Sequence, residues 1–200
     1  VANGFYNVEG INVIILYPGK KVSKIQEKQL TTLGKNIHAI ELDGSFDQCQ
    51  SLVKKAFLDL QLTKKIKLSS ANSINIGRLI PQSFYYFNAY SKLKDKNDVI
   101  ISVPSGNFGN ITAGLLSKMM GLPINKLIAS TNANKAVPDF IKNGFYKPRQ
   151  TIQTISNAMD VGNPSNIKRI INLYNKIDLL KEDMLSWSFS DNDTINTIKM

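Results

Sequence analysis

Short runs of β-branched residues alternate along this chain with longer segments in which apolar residues recur every three or four positions. The apolar runs predict strands at 11–17, 37–42, 66–68, 98–103 and 127–130. The periodic segments predict helices at 23–33, from Ser45 to about 57, up to about Tyr90, and at 111–120, 134–142 and 167–175. This alternation with short connections is typical of an α/β fold with parallel sheets.

Local signals fix where several of these helices begin and which face they bury. Ser23 and Ser45 are placed to cap helices with their hydroxyl oxygens. Cys49 falls on the apolar face of the helix after Ser45, which indicates a core residue rather than a reactive thiol. Pro81 is expected to kink its helix or to mark its first turn.

A change in composition divides the chain into two predicted lobes. Residues 1–92 are rich in lysine and carry long amphipathic helices, whereas residues 93–200 carry Gly/Asn/Ser loops at the ends of strands. We therefore expect two α/β lobes of parallel sheet flanked by helices, 1–92 and 93–200. Ligands in such sheets bind at the carboxyl ends of the strands.

Composition and charge narrow the classes of function. The net charge of +10 raises nucleic acid as a partner, but 22 of the 25 basic residues are lysines and only three are arginines, which disfavours bidentate base readout. No apolar run approaches the ~18 residues of a membrane span. With one cysteine and one histidine, Cys49 and His38, the chain has no multi-histidine metal site or cysteine-based zinc cluster.

The first candidate site is the segment Ser105–Asn110, which follows a predicted strand and precedes a predicted helix. Gly106 and Gly109 allow the backbone to curl so that N–H groups converge on an anion, and the helix N-terminus adds its positive end. The segment is neither GxGxxG nor a Walker loop, so dinucleotides and nucleoside triphosphates are weak candidates. A phosphate loop and a plain strand-to-helix turn are equally compatible with the spacing.

The second candidate site is Asn72–Arg78, where small polar side chains precede the start of a helix. Ser73 and Arg78 can face one anion, the serine through its hydroxyl and the arginine through a fork of donors. The alternative is a helix cap with a surface arginine. A third polar stretch, 156–166, either lines a cleft or simply lets Ser165 cap the helix from Ile167.

Taken together, these segments resemble the threonine synthases. The resemblance is carried by SSANSINIGR at 69–78, VPSGNFGN at 103–110, ASTNAN at 129–134 and SNAMDVGNPSN at 156–166, with VSKIQEKQL at 22–30 in addition. It covers nearly all of residues 1–175, and no strong match is evident after Leu180. It implies the fold type II class of pyridoxal-phosphate enzymes, and therefore pyridoxal 5'-phosphate as the cofactor.

The resemblance also implies a reaction and roles for the two candidate sites. Threonine synthases convert O-phosphohomoserine and water to threonine and phosphate. The family's cofactor-phosphate loop corresponds to Ser105, Gly106, Asn107, Phe108, Gly109 and Asn110. Its substrate-phosphate residues correspond to Asn72, Ser73 and Arg78. The implied protein is a cytoplasmic enzyme of amino-acid biosynthesis that acts on a small molecule, with no nucleic-acid or membrane partner and no metal.

Parts of the family's machinery are expected outside these 200 residues. The family's Schiff-base lysine and its substrate-carboxylate loop precede the point that matches Val1, so no catalytic lysine is assigned here. The part that contacts the pyridine nitrogen is also expected to be absent. The chain is thus expected to be an internal fragment, incomplete at both ends and inactive alone.

Two other interpretations of the function compete with that of a threonine synthase. Another fold type II lyase, a dehydratase or a sulfhydrylase, would not need Arg78, because its substrate carries no phosphate. A non-catalytic relative would bind a phosphorylated ligand without the catalytic lysine. Turnover of phosphohomoserine against serine or O-acetylserine separates the first alternative, and the upstream sequence separates the second.

Overall fold

The computed structural model describes residues 2–72 and 75–200, and these divide into two compact units, Val1–Ala71 and Asn72–Met200. The expected boundary lay after residue 92. The division falls earlier because the helix of residues 76–91 packs against the helix that follows the first strand of the second unit. Whether the whole protein's lobes divide at 92 or at 71 stays a prediction.

The first unit is a two-stranded parallel sheet with helices before, between and after its strands. Its elements are α1 (Ala2–Phe5), β1 (Val13–Pro18), α2 (Lys24–Thr31), β2 (Ile37–Leu42), α3 (Phe46–Leu58) and α4 (Leu60–Lys65). Val13 pairs with Ile37, and Pro18 with Leu42. The predicted caps are confirmed: the hydroxyls of Ser23 and Ser45 each accept the N–H three residues later in a complete capping box.

One predicted strand of this unit is wrong. Residues 66–68 form no strand; they follow α4, whose N-terminus is capped by the Asp59 carboxylate through the N–H groups of Gln61 and Leu62. The apolar pair Ile66 and Leu68 is too short a run to outweigh that local helix signal. The predicted core role of Cys49 is confirmed, since its side chain is buried in α3.

The second unit is a three-stranded parallel sheet in the order β3-β4-β5, with helices packed around it. Its elements are α5 (Ile76–Ser91), β3 (Ile100–Pro104), α6 (Gly109–Met119), β4 (Lys126–Thr131), α7 (Ala136–Asn143), a 3₁₀ turn (Asn157–Met159), α8 (Ile167–Tyr174), α9 (Ile177–Asp183), β5 (Met184–Ser188) and α10 (Asp191–Ile198). Helix α9, strand β5 and helix α10 were not expected from the sequence.

A continuous apolar core holds this unit together, and helix α6 lies inside it. Ile111, Ala113 and Leu115 of α6 are fully buried, as is Leu127 of the central strand β4. Because the three strands are parallel, Pro104, Thr131 and Ser188 end at the same edge of the sheet. The segments that follow these strands can therefore meet there. None of the helices in the described residues has the length and apolar content that crossing a bilayer requires.

Candidate phosphate-binding site

The loop Ser105–Asn110 joins the carboxyl end of β3 to the start of α6, as the sequence predicted. Ser105 is buried, and its N–H donates to the Ser130 carbonyl at the end of the neighbouring strand, 2.8 Å away. Its hydroxyl donates to the Val103 carbonyl at 2.8 Å. The first residue of the loop is thus fixed to the edge of the sheet.

Phe108 turns the chain into helix α6. Its backbone is left-handed, with φ of 59°, and its ring is buried in the core. A phenyl ring has no acceptor with which to cap a helix, so it leaves the first-turn N–H groups of α6 available to an external acceptor. These N–H groups and the positive end of the helix together suit an oxyanion.

Gly106 is required because another segment approaches its backbone. A Cβ added there would lie 2.9 Å from the Cα of Met159, at the end of the 3₁₀ turn. Backbone cannot move aside as a flexible side chain can, so any larger residue at this position would displace the loop or the turn.

Asn107 is held by the start of the segment that leads into α8. Its Oδ1 accepts from the backbone N–H of Ser165 at 2.6 Å and from the Ser165 hydroxyl at 3.0 Å. Its carbonyl accepts from the amide of Asn166 at 2.9 Å. The expectation that Ser165 could cap α8 is wrong, because Asn166 occupies the N-cap position and the Ser165 side chain binds Asn107 instead.

Asn110 is held from the other side by Tyr86 of helix α5. The phenol donates to the Asn110 Oδ1 at 2.7 Å and approaches the Asn110 carbonyl at 3.1 Å. Burial raises the pKa of Tyr86 far above its usual value, so the hydroxyl stays protonated and remains a donor at neutral pH. Sequence reasoning missed Tyr86, because nothing in an aromatic helix marks one ring as a partner of a loop 24 positions away.

The polar stretch 156–166 lies against this loop and is tied to the sheet. Asp160, which follows the 3₁₀ turn, binds the side chains of Asn132 and Asn134, just beyond β4, and both the N–H and the hydroxyl of Thr154. The sequence signals for this cluster were the ASTNAN motif at 129–134 and the polar stretch 156–166, which contains Asp160. A cavity of about 340 Å³ opens beside it, lined by Pro104, Thr131, Ser156 and Met159 together with residues of α10.

The second predicted site lies at the start of helix α5. Asn75 caps this helix by accepting the Gly77 N–H at 2.9 Å, and Arg78 is exposed in its first turn. Asn72 precedes the cap, and Ser73 lies outside the described residues. Arg78 stands eight residues before Tyr86, about 12 Å along the helix axis. The structure therefore assembles the six loop residues at one point and leaves Asn72 and Arg78 at a separate helix end.

His38, Cys49 and the acidic residues are further candidates for chemistry in the described part of the chain. His38 is exposed on β2, and burial raises the pKa of the Cys49 thiol, which disfavours the reactive thiolate. Residues 2–72 and 75–200 contain no cluster of three His, Cys, Asp or Glu side chains that could bind a metal ion.

Comparison with known proteins gives a consistent set of relatives. No protein-family model matches the chain. It is 51% identical over 201 aligned positions to the threonine synthase of Haemophilus influenzae and 52% identical over 203 to that of Buchnera aphidicola from Acyrthosiphon pisum. Each alignment covers all of this chain, so the similarity extends past residue 180, where none was expected. Each covers 47% of the relative, so the chain spans about half the length of these proteins.

Solved structures agree with these relatives. The chain superposes on Escherichia coli threonine synthase with a TM-score of 0.92 at 47% identity, covering 98% of this chain and 46% of that one. A pyridoxal-phosphate-bound threonine synthase from Brucella melitensis gives 0.84 at 32% identity, over 98% of this chain and 48% of that one. A pyridoxal-phosphate-dependent aspartate racemase, at 13% identity and a TM-score of 0.62, shares the fold alone.

Proposed function

Because the chain is a homologue of the threonine synthases over its whole length, we propose that it forms the cofactor-phosphate site and part of the substrate site of such an enzyme. The observation that carries this proposal is the Ser105–Asn110 loop at the carboxyl end of β3, in a chain 51% identical to a threonine synthase. The proposed reaction converts O-phosphohomoserine and water to L-threonine and phosphate.

The loop fits the phosphate group of pyridoxal 5'-phosphate. It offers backbone N–H donors at a helix N-terminus, and Gly106 leaves room where a side chain would intrude. Ser105, Gly106, Asn107, Phe108, Gly109 and Asn110 would hold the phosphate. When bound, the cofactor supplies an electron sink for carbanion chemistry.

The roles of this chain's residues follow from their contacts. The buried ring of Phe108 anchors the loop to the core, and Asn107 and Asn110 are fixed from opposite sides by Ser165 and Tyr86. A loop held this firmly is already arranged for the phosphate and loses little entropy when it binds. The residues of the loop orient the cofactor and take no proton.

For the substrate, we propose that Asn72, Ser73 and Arg78 bind the phosphate of O-phosphohomoserine. A guanidinium presents two parallel N–H donors to phosphate oxygens and stays protonated throughout the working pH range. Donors placed there stabilise the negative charge that develops as the phosphate leaves. No catalytic lysine is assigned within residues 1–200, and the lysine that moves protons in this family is proposed to lie beyond them.

Two further parts of the proposal concern the setting. We propose a cytoplasmic enzyme whose partner is its small-molecule substrate rather than nucleic acid or a membrane. The preponderance of lysine over arginine supports this reading, because lysines spread over a surface are ordinary solvated charge.

A chimera tests the proposed function directly. Residues 1–200 would replace the matching segment of E. coli threonine synthase, and the chimera would be assayed for phosphate release from O-phosphohomoserine and for growth of a threonine auxotroph. We expect both. A folded chimera that binds the cofactor but acts on serine or O-acetylserine instead would identify a different lyase. A folded chimera that binds no cofactor would refute the phosphate loop.

A further inference from the structure

A buried polar cluster beside the phosphate loop centres on the carboxylate of Asp160. Its Oδ1 accepts from the Thr154 hydroxyl at 2.7 Å, from the Asn132 amide at 2.8 Å and from the Asn134 amide at 3.3 Å. Its Oδ2 accepts from the Thr154 backbone N–H at 3.0 Å. Asn132, Asn134 and Thr154 are all buried. These four contacts are all donors, an arrangement that a carboxylate satisfies and a neutral amide does not.

The cluster is anchored to the rigid part of the second unit. Asn132 directly follows the last residue of β4, and its own Oδ1 accepts from the backbone N–H and the amide of Asn134 at 3.0 and 2.9 Å. Asn134 also exchanges two hydrogen bonds with the backbone of Ile152. Asp160 therefore links the polar stretch around the 3₁₀ turn to the edge of the sheet through side chains that are themselves held by hydrogen bonds.

What Asp160 positions is the backbone of Met159. The two residues are adjacent, and the N–H of Asp160 donates to the Asn157 carbonyl at 3.1 Å, which closes the 3₁₀ turn. The Cα of Met159 in turn lies 2.9 Å from where a Gly106 Cβ would be. A shift of Asp160 therefore moves the Met159 backbone, against which Gly106 of the Ser105–Asn110 loop packs.

We propose that Asp160 is a positioning residue of the cofactor site. Its carboxylate holds Met159 against Gly106 and so sets the shape of the Ser105–Asn110 loop that receives the phosphate. This inference rests on the proposed function, since it assigns that loop to the cofactor. It gives the polar side chains of residues 154–160 a role that neither a surface loop nor a helix cap would require.

Two variants test this role by changing hydrogen-bond polarity, and the second also gives up the long 3.4 Å contact from the Asn132 amide to the Ser156 carbonyl. Asp160→Asn turns one acceptor into a donor that faces the Asn132 amide. The double variant Asp160→Asn with Asn132→Asp reverses that pair, so that position 160 donates and position 132 accepts. In the unaltered chain the Thr154 hydroxyl donates to Asp160 and accepts from Asn132. In the double variant it can rotate to accept from position 160 and donate to position 132. The net charge is the same as in the original chain.

The first readout needs no ligand. Hydrogen exchange of the backbone amides of residues 104–112 reports how firmly the loop is held. The second is the affinity for pyridoxine 5'-phosphate, which lacks the aldehyde that reacts with lysines, with pyridoxine as the probe without phosphate. The control is Asp191→Asn, because the Asp191 carboxylate also accepts from this segment, at the Ile155 N–H, without reaching Met159.

Asp160→Asn is expected to speed exchange of the loop amides at least tenfold and to weaken pyridoxine 5'-phosphate at least tenfold. The double variant is expected to recover most of both losses, and Asp191→Asn to change neither. Unchanged loop exchange in folded Asp160→Asn would overturn the proposal. If that variant does not fold, a folded double variant with fast loop exchange would overturn it instead.

The same measurements separate this inference from the proposed function. If the loop responds to Asp160→Asn but the unaltered chain and the chimera bind neither pyridoxine 5'-phosphate nor the cofactor, the assignment of the loop to the cofactor fails and the link between Asp160 and the loop stands. If the chimera binds the cofactor and Asp160→Asn leaves hydrogen exchange of the loop amides unchanged, the proposed function stands and the positioning role fails.

Discussion

The two predicted phosphate sites are built differently, although both combine small polar residues with a helix start. The Ser105–Asn110 loop follows a strand, and three of its residues are buried, Ser105, Phe108 and Gly109. Tyr86, Met159 and Ser165 contact it from three other segments. The Asn72–Arg78 segment precedes helix α5, and its arginine is exposed. Two similar sequence patterns therefore give one loop enclosed by other segments and one helix start with an exposed arginine.

This difference matches the two ligands proposed for them. A cofactor that stays bound needs a prearranged cradle of backbone donors, which cannot be altered without altering the fold. A substrate phosphate that arrives and leaves in every cycle needs a charged side chain that solvent can reach. The loop is therefore expected to respond to changes in packing, and the segment to changes in charge.

The largest expected effect is the loss of Arg78. In the chimera, Arg78→Ala removes a charge-assisted contact to the substrate phosphate, which costs roughly 2–5 kcal/mol, or about 30- to several-thousand-fold in kcat/KM. Cofactor affinity is expected to stay the same, and Arg78→Lys to recover little, because an ammonium lacks the planar fork.

Steady-state kinetics and a cofactor titration check this prediction. The matched control is Arg149→Ala, since Arg149 is an arginine whose ion pair with Asp139 is half exposed and lies in neither site. Weak cofactor binding with intact substrate kinetics would mean that the two phosphates are exchanged between the sites. Unchanged kcat/KM in Arg78→Ala would mean that Arg78 is a surface residue that does not bind the substrate.

The next effect comes from packing at the loop. Gly106→Ala introduces a Cβ 2.9 Å from the Met159 Cα, and overpacking of this kind costs about 1–3 kcal/mol. We expect cofactor affinity in the chimera to fall by about 5- to 150-fold. The fold-loss in kcat/KM caused by Arg78→Ala should be the same with and without this change. Gly4→Ala is the control, because a Cβ there meets nothing within 4 Å. An unchanged dissociation constant for the cofactor would argue against a close-packed cradle.

The smallest effect concerns Tyr86, which belongs to the same helix as Arg78 but binds the loop. Tyr86→Phe removes the hydrogen bond from the buried phenol to Asn110, whose acceptors are exposed to water, and is expected to lower the free energy of unfolding by about 0.5–1.5 kcal/mol, measured by urea denaturation at pH 7. Substrate affinity should change little. A Tyr85→Phe control alters an exposed phenol one position away.

The same tyrosine is expected to make the folded chain less stable at alkaline pH. Its pKa is raised by burial in the folded state, so its contribution to stability is complete below the unfolded pKa of about 10 and is lost as the pH rises towards the folded value. Above pH ~10 the free energy of unfolding should fall by up to about 1.4 kcal/mol per pH unit on its account. Tyr86→Phe should remove that part of the slope, and an identical slope in the variant would contradict it.

Local signals in the sequence were enough for much of the fold. The strand at 37–42 and the caps at Ser23 and Ser45 are as predicted, because each depends on neighbours within a few residues. The strand at 66–68 is wrong and β5 was missed. Strand β5 pairs with β4 more than 50 residues earlier in the chain, and such pairing leaves little trace in a five-residue run.

In the candidate site, too, local features could be predicted from the sequence and contacts between distant segments could not. The glycine spacing and the strand-to-helix context were enough to mark Ser105–Asn110 as a candidate, whereas the phosphate role came from the resemblance to the threonine synthases. Tyr86 could not be selected, and Asp160 was marked only as one residue of the polar stretch 156–166, because their roles come from contacts between segments about 24 and 28 residues apart. A polar side chain becomes a support only when the fold brings its partner to it, and no local pattern reports that.

The most direct test of the central claim is a titration of the isotopically labelled 200-residue chain with pyridoxine 5'-phosphate, followed by the backbone amide chemical shifts. We expect saturable shifts at the amides of Ser105–Asn110 and Ile111, and no such shifts with pyridoxine. Saturable shifts confined to the amides of residues 75–78, or none at millimolar ligand, would contradict the assignment of this loop to the cofactor phosphate.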